Sequence, residues 1–95
     1  MVRPCIYCYD GFAMSVQDHE NAYATPGSTS EIGFPTKEEP LIKEYAEDPD
    51  DLTGTVYPHV PNEIVEQVII KHGGVDPNGE KKAIERVANL KKEEF

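Results

Sequence analysis

From Phe12 to Gln17 apolar residues alternate with small or polar ones. Phe12, Met14 and Val16 fall on one face of an extended segment, and Ala13, Ser15 and Gln17 on the other. A period of two predicts a half-buried antiparallel strand. Asp10-Gly11 stands just before it and predicts a two-residue type I′ hairpin, which needs positive φ at both central positions. Met1–Tyr9 then reads as the partner strand. Ile6 and Cys8 share one face of it, and Cys5, Tyr7 and Tyr9 the other. Pro4 has no N–H for the ladder, so it belongs at the strand start or on a sheet edge. Asp18–Ser30 loses the period and reads as a loop of about a dozen residues. Glu31–Phe34 predicts a short third strand with Ile32 and Phe34 inward, Gly33 marking a bulge or a close backbone approach. Thr53–Val60 predicts a fourth. There Thr55, Tyr57 and His59 face one way and Val56, Pro58 and Val60 the other, and Pro58 places the strand at an edge or shortens it.

At Pro61 the period changes. Ile64, Val65, Val68 and Ile69 form a stripe at helical spacing, with Asn62 or its neighbour as the cap and Gly73-Gly74 as the stop. His72 falls in the last turn, where a cation favours the helix dipole. Leu41, Ile42 and Tyr45 predict a short helix after Pro40, ended by Asp48-Pro49-Asp50-Asp51. Asp76-Pro77 can start a further helix, with Ala83, Ile84, Val87 and Leu90 as its stripe. The order predicts an α+β fold: a small antiparallel sheet of three to four strands with one or two C-terminal helices on one face. Residues 1–75 form a single domain. Residues 76–95 form an amphipathic helix, packed on the domain or at a homo-oligomer interface.

Composition narrows the class. Ninety-five residues suit one modest core, and the 38% of hydrophobic residues sit in periodic runs, as in a folded chain with polar loops. No apolar run reaches the ~20 residues of a membrane span. The N-terminus lacks the pattern of a secretory signal, so a cytoplasmic location is expected. The net charge of −9 repels nucleic acids and anionic membranes. It suits docking on a basic protein surface, including one that normally holds nucleic acid. The charge is densest over 36–51, with seven carboxylates against two lysines.

Candidate chemistry is sparse. Cys5-Ile-Tyr-Cys8 has the spacing of half a zinc site, but the other half is missing and the residues read as a strand. A thioredoxin-like motif would need a helix N-terminus there. A disulfide along one strand does not fit the bridging geometry. Reduced thiols without metal or cofactor are expected. His19 lies between Asp18 and Glu20, with Ser15 on the neighbouring strand, yet no geometry fixes a catalytic set. A non-enzymatic protein is expected. The best candidate for binding a ligand or partner is a polar and aromatic patch of Ser15, Gln17, Asn21, Tyr23 and Thr25 with Thr55, Tyr57 and His59. Such a surface suits a small planar ligand or a protein interface anchored by Tyr.

Asp10-Gly-Phe-Ala-Met-Ser-Val-Gln17, Tyr23-Ala-Thr-Pro26, Glu31-Ile-Gly-Phe-Pro35, Tyr45-Ala-Glu-Asp48, Thr55-Val-Tyr57 with Val60-Pro61, and His72-Gly-Gly74 follow one another in order. In these motifs the chain resembles a group of small uncharacterised proteins encoded by bacteriophages. The usual loop of that group, Tyr-Cys-Ser-Pro-Arg, ends on an Arg that is Gly27 here, so no anion-binding role carries over. The resemblance implies a phage accessory protein in a bacterial cytoplasm. By analogy with small phage proteins that blunt host defence, the expected function is stoichiometric inhibition of a host defence protein. The alternatives are an oligomeric sponge for a nucleotide immune signal and a structural or regulatory module without ligand.

Overall fold

The structure, a computed structural model, describes residues 6–19, 22, 24–25 and 27–82. Expectations that rest on Cys5, Asn21, Tyr23 or the stripe from Ala83 to Leu90 lie outside these residues. Four strands, β1 (Ile6–Tyr7), β2 (Ala13–Gln17), β3 (Thr29–Gly33) and β4 (Val56–Pro61), pair in chain order as one antiparallel sheet. Helix α1 (Asn62–Lys71) packs against β3 and β4. This is the α+β architecture expected. Phe12, Met14, Ile32, Tyr57, Val60, Val65 and Val68 make the core, joined by Cys8 from the hairpin and Ile42 from the segment before β4. Each large apolar side chain buried there contributes about 1.5–3 kcal/mol.

The β1–β2 connection is not the two-residue turn expected. Cys8 N–H donates to the Phe12 carbonyl and Gly11 N–H to the Cys8 carbonyl, so Tyr9, Asp10 and Gly11 form a three-residue loop. Of these only Gly11 has positive φ, at 94°, as in a type I turn followed by a left-handed residue. The Asp10 carboxylate accepts the Phe12 N–H at 2.9 Å and so fixes the turn locally.

β3 begins two residues earlier than expected and ends before Phe34. Ser30 and Ile32 point into the core. Phe34 has φ 47° and is 38% exposed, which corrects its inward placement. The irregularity expected near Gly33 falls elsewhere. Ser30 pairs with Val60 and Ile32 with Tyr57, so Pro58 and His59 together face the single Glu31. This is a β-bulge, and His59 sits in it with φ 53°. The bulge shifts the phase of β4, so Tyr57 and Val60, three residues apart, both face the core. β4 lies at the sheet edge, where Pro58 is tolerated.

Helix α1 ends as expected. Gly74 N–H donates to the Ile69 carbonyl and Gly73 N–H to that of Ile70, with Gly73 at φ 93°. This is a Schellman stop. Asn62 does not cap the helix start: its side-chain oxygen accepts from Ser30 Oγ at 2.6 Å instead. After the stop, 74–76 runs along the free edge of β1, with Asp76 N–H on the Tyr7 carbonyl and Tyr9 N–H on the Gly74 carbonyl. Asp76 Oδ1 accepts the Asn78 N–H and starts a helical turn over 79–82.

Candidate functional site

The expected patch does not assemble as one surface. Tyr57 is fully buried, and its hydroxyl donates to the Leu52 carbonyl. Burial, with the charges of Glu38 and Asp51, raises its pKa. Thr55 is buried too, its hydroxyl accepting the Asp48 N–H at 3.1 Å. Neither side chain is available to a ligand: Tyr57 faces the core from β4, and Thr55, just before β4, is bonded into the acidic segment. Ser15 and Gln17 lie on the sheet face opposite the core. Gln17 Nε2 donates to Ser15 Oγ at 3.4 Å and Gln17 Oε1 accepts from His19 Nε2 at 2.9 Å. Ser15 itself is buried. Thr25 and His59 share one partner: Thr25 N–H donates to Thr29 Oγ1 at 2.7 Å, and that oxygen lies 3.4 Å from His59 Nδ1. Asn21 and Tyr23 lie outside the described residues.

Two other features stand out. The first is the acidic segment between β3 and β4. The Leu41 and Ile42 side chains hold it to the core, and a 3-10 turn over Lys43–Tyr45 follows. Glu47 N–H donates to the Val56 carbonyl, Asp51 N–H to that of Asp48 and Gly54 N–H to that of Asp51. Asp50 N–H donates to Asp48 Oδ1 at 3.0 Å. This tied-down backbone presents Glu38, Glu44, Glu47, Asp48, Asp50 and Asp51 to solvent.

Glu39 departs from that pattern. Its side chain is 1% exposed and receives the Leu41 N–H at 2.8 Å, Lys71 Nζ at 3.0 Å and His72 Nε2 at 2.8 Å. The other nitrogen of His72 faces the Asp10 carboxylate, and the ring stacks on Phe12 with centroids 4.1 Å apart. Burial pushes the Glu39 carboxyl up, but the Leu41 N–H, Lys71 and His72 outweigh it and hold it below its ordinary range. Asp10 is lowered likewise: the Phe12 N–H and His72, with the Lys37 charge, overcome burial. Both His72 nitrogens face carboxylates, Asp10 on one side and Glu39 on the other. The network is a clamp joining the hairpin loop, the acidic segment and the end of α1.

The second feature is a 420 Å³ cavity beside the hairpin. Tyr7, Tyr9, Asp10 and Ala13 line it from the hairpin, Thr36 from the chain after β3, and Asp76, Gly79 and Lys82 from the turn after α1. Gly79 permits this: a Cβ there would collide with the Tyr7 Cβ. Asp76 is buried and Lys82 Nζ lies 2.8 Å from its Oδ2. The Lys82 bond, then the Asn78 N–H, lower the Asp76 pKa, and Asp76 raises that of Lys82. Cys8, also at the cavity, is a free thiol raised by burial and by Asp10, and so not activated. Among the described residues no three His, Cys, Asp or Glu side chains converge to hold a metal. No helix among them is long and apolar enough to cross a membrane.

Sequence reasoning missed Glu39 and the cavity. Comparison of the chain with family models, with curated proteins and with solved structures finds no match.

Proposed function

We propose that the protein is a non-enzymatic phage accessory protein that binds a host defence protein stoichiometrically in the bacterial cytoplasm. It docks through its acidic segment on a basic surface of that partner, one that otherwise holds nucleic acid. The observation that carries this reading is the acidic segment itself: six exposed carboxylates on a backbone fixed by internal hydrogen bonds. A preformed charged surface loses less conformational entropy on docking than a flexible acidic tail. The phage setting rests on the sequence motifs above. The nucleotide-sponge alternative is weakened, because Tyr57, one of its aromatic residues, is in the core.

The test is affinity capture from host lysate with the wild type and with a quadruple variant, Glu44→Lys, Glu47→Lys, Asp50→Lys, Asp51→Lys. The wild type is expected to retain one nucleic-acid-binding protein at about 1:1 in low salt. It should release that protein between about 0.1 M and 1 M salt, where the screening length falls from about 10 Å to about 3 Å. The variant should melt like the wild type and retain nothing. A partner held equally by the variant, or unmoved by salt, overturns the reading.

A further inference from the structure

The cavity beside the hairpin has a chemistry of its own. Its lining includes two aromatic residues, Tyr7 and Tyr9, and its charged residues are two carboxylates, Asp10 and Asp76, against one ammonium, Lys82. Asp76 forms the buried part, with a side chain 4% exposed, whereas that of Lys82 is 58% exposed and reaches in from solvent. The carboxylate is built into the fold: its Oδ1 holds the Asn78 N–H and its backbone N–H donates to the Tyr7 carbonyl at 2.7 Å. The Lys82 backbone is held by its N–H on the Asn78 carbonyl, and the ammonium reaches Asp76 on a flexible stem. The ammonium of so exposed a lysine stays open to water and can be displaced by another cation, and the pair already displays what the cavity accepts: a cation on an aliphatic chain.

We infer that this cavity receives an arginine side chain presented by the basic partner, with the guanidinium replacing Lys82 on Asp76 and stacking against the tyrosine rings. Arginine fits better than lysine because its planar head can pair two-pronged with a carboxylate and lie on an aromatic face. The two carboxylates disfavour a phosphate or another anion. The His72 nitrogen and the Phe12 N–H hold Asp10 in place as the second acceptor. The inference rests on the docking reading above and adds to it an anchoring residue type on the partner.

The test needs no partner. Acetyl-arginine amide and its neutral isostere acetyl-citrulline amide are titrated into the full chain, and backbone amide shifts are followed by NMR. Shifts are expected at Tyr7, Tyr9, Gly11, Thr36 and 76–82 with arginine and not with citrulline. Lys82→Met, which keeps the stem and removes the competing ammonium, should tighten binding about threefold. Asp76→Asn, which keeps the acceptor for Asn78 N–H, should abolish it. Equal shifts with citrulline, shifts confined to 38–51, or weaker binding in Lys82→Met overturn the inference. If Asp76→Asn does not fold, Lys82→Met decides alone. Failure here leaves salt-dependent capture through the acidic segment standing, and loss of that capture leaves these shifts unaffected, so the two readings fall separately.

Discussion

Tyr57 and His59 stand two positions apart on one strand, and the Pro58-His59 bulge gives them opposite fates. Tyr57 is in the core with its hydroxyl on the Leu52 carbonyl. Tyr57→Phe leaves that carbonyl without its partner and should cost about 1 kcal/mol, read as a fall in Tm of about 4–8 °C. An unchanged Tm would mean that the bond contributes nothing to stability. His59 is exposed in the left-handed region at φ 53°. A non-glycine residue there costs roughly 1–2 kcal/mol, and glycine returns part of that through its larger unfolded-state entropy. His59→Gly should therefore raise Tm by a few degrees, about 0.5–1 kcal/mol. A fall in Tm would show instead that the contact with Thr29 outweighs the backbone strain.

The clamp of Asp10, His72, Glu39 and Lys71 joins three elements and sets how the molecule responds to acid. Glu39 and Asp10 both have folded pKa values below their ordinary ones. Their contribution is therefore in place above the ordinary carboxylate pKa, about 4.3 for Glu, and is lost as pH falls through the lower folded values. Glu39→Gln should cost about 2 kcal/mol at pH 7, the range for hydrogen bonds to a charged group. That difference should shrink below about pH 4. Urea unfolding of both proteins at pH 7 and pH 3 measures it, and a gap independent of pH would contradict the clamp. The elements were largely legible in the sequence where one period ran unbroken: the alternation through Val16 and the stripe Ile64, Val65, Val68, Ile69. Reading failed where a local device changed the phase, as with Pro58-His59, or where Asp10 used its side chain to lengthen the turn. Glu39 gave no signal at all. It sits next to Glu38 in an acidic run, and its side-chain partners, Lys71 and His72, come from the end of α1, more than thirty residues on.

At the scale of the whole molecule, the −9 charge was visible from composition, but its arrangement was not. Glu39 is turned inward and its neighbours outward, so the acidic segment has an inner anchor and an outer face. The cavity was illegible for a similar reason: Tyr7, Thr36, Asp76 and Lys82 come from three stretches of chain that only the fold brings together. The pairing of 74–76 along β1 has a further consequence. On the far side of the sheet, β4 carries Pro58 and a bulge. One edge is thus occupied and the other interrupted, so the described sheet offers no straight row of free N–H and C=O groups to a foreign strand. Recognition by strand addition and edge-to-edge stacking into fibres are both closed to it. The described strands therefore meet another molecule through their side chains and not by lending backbone to a partner's sheet.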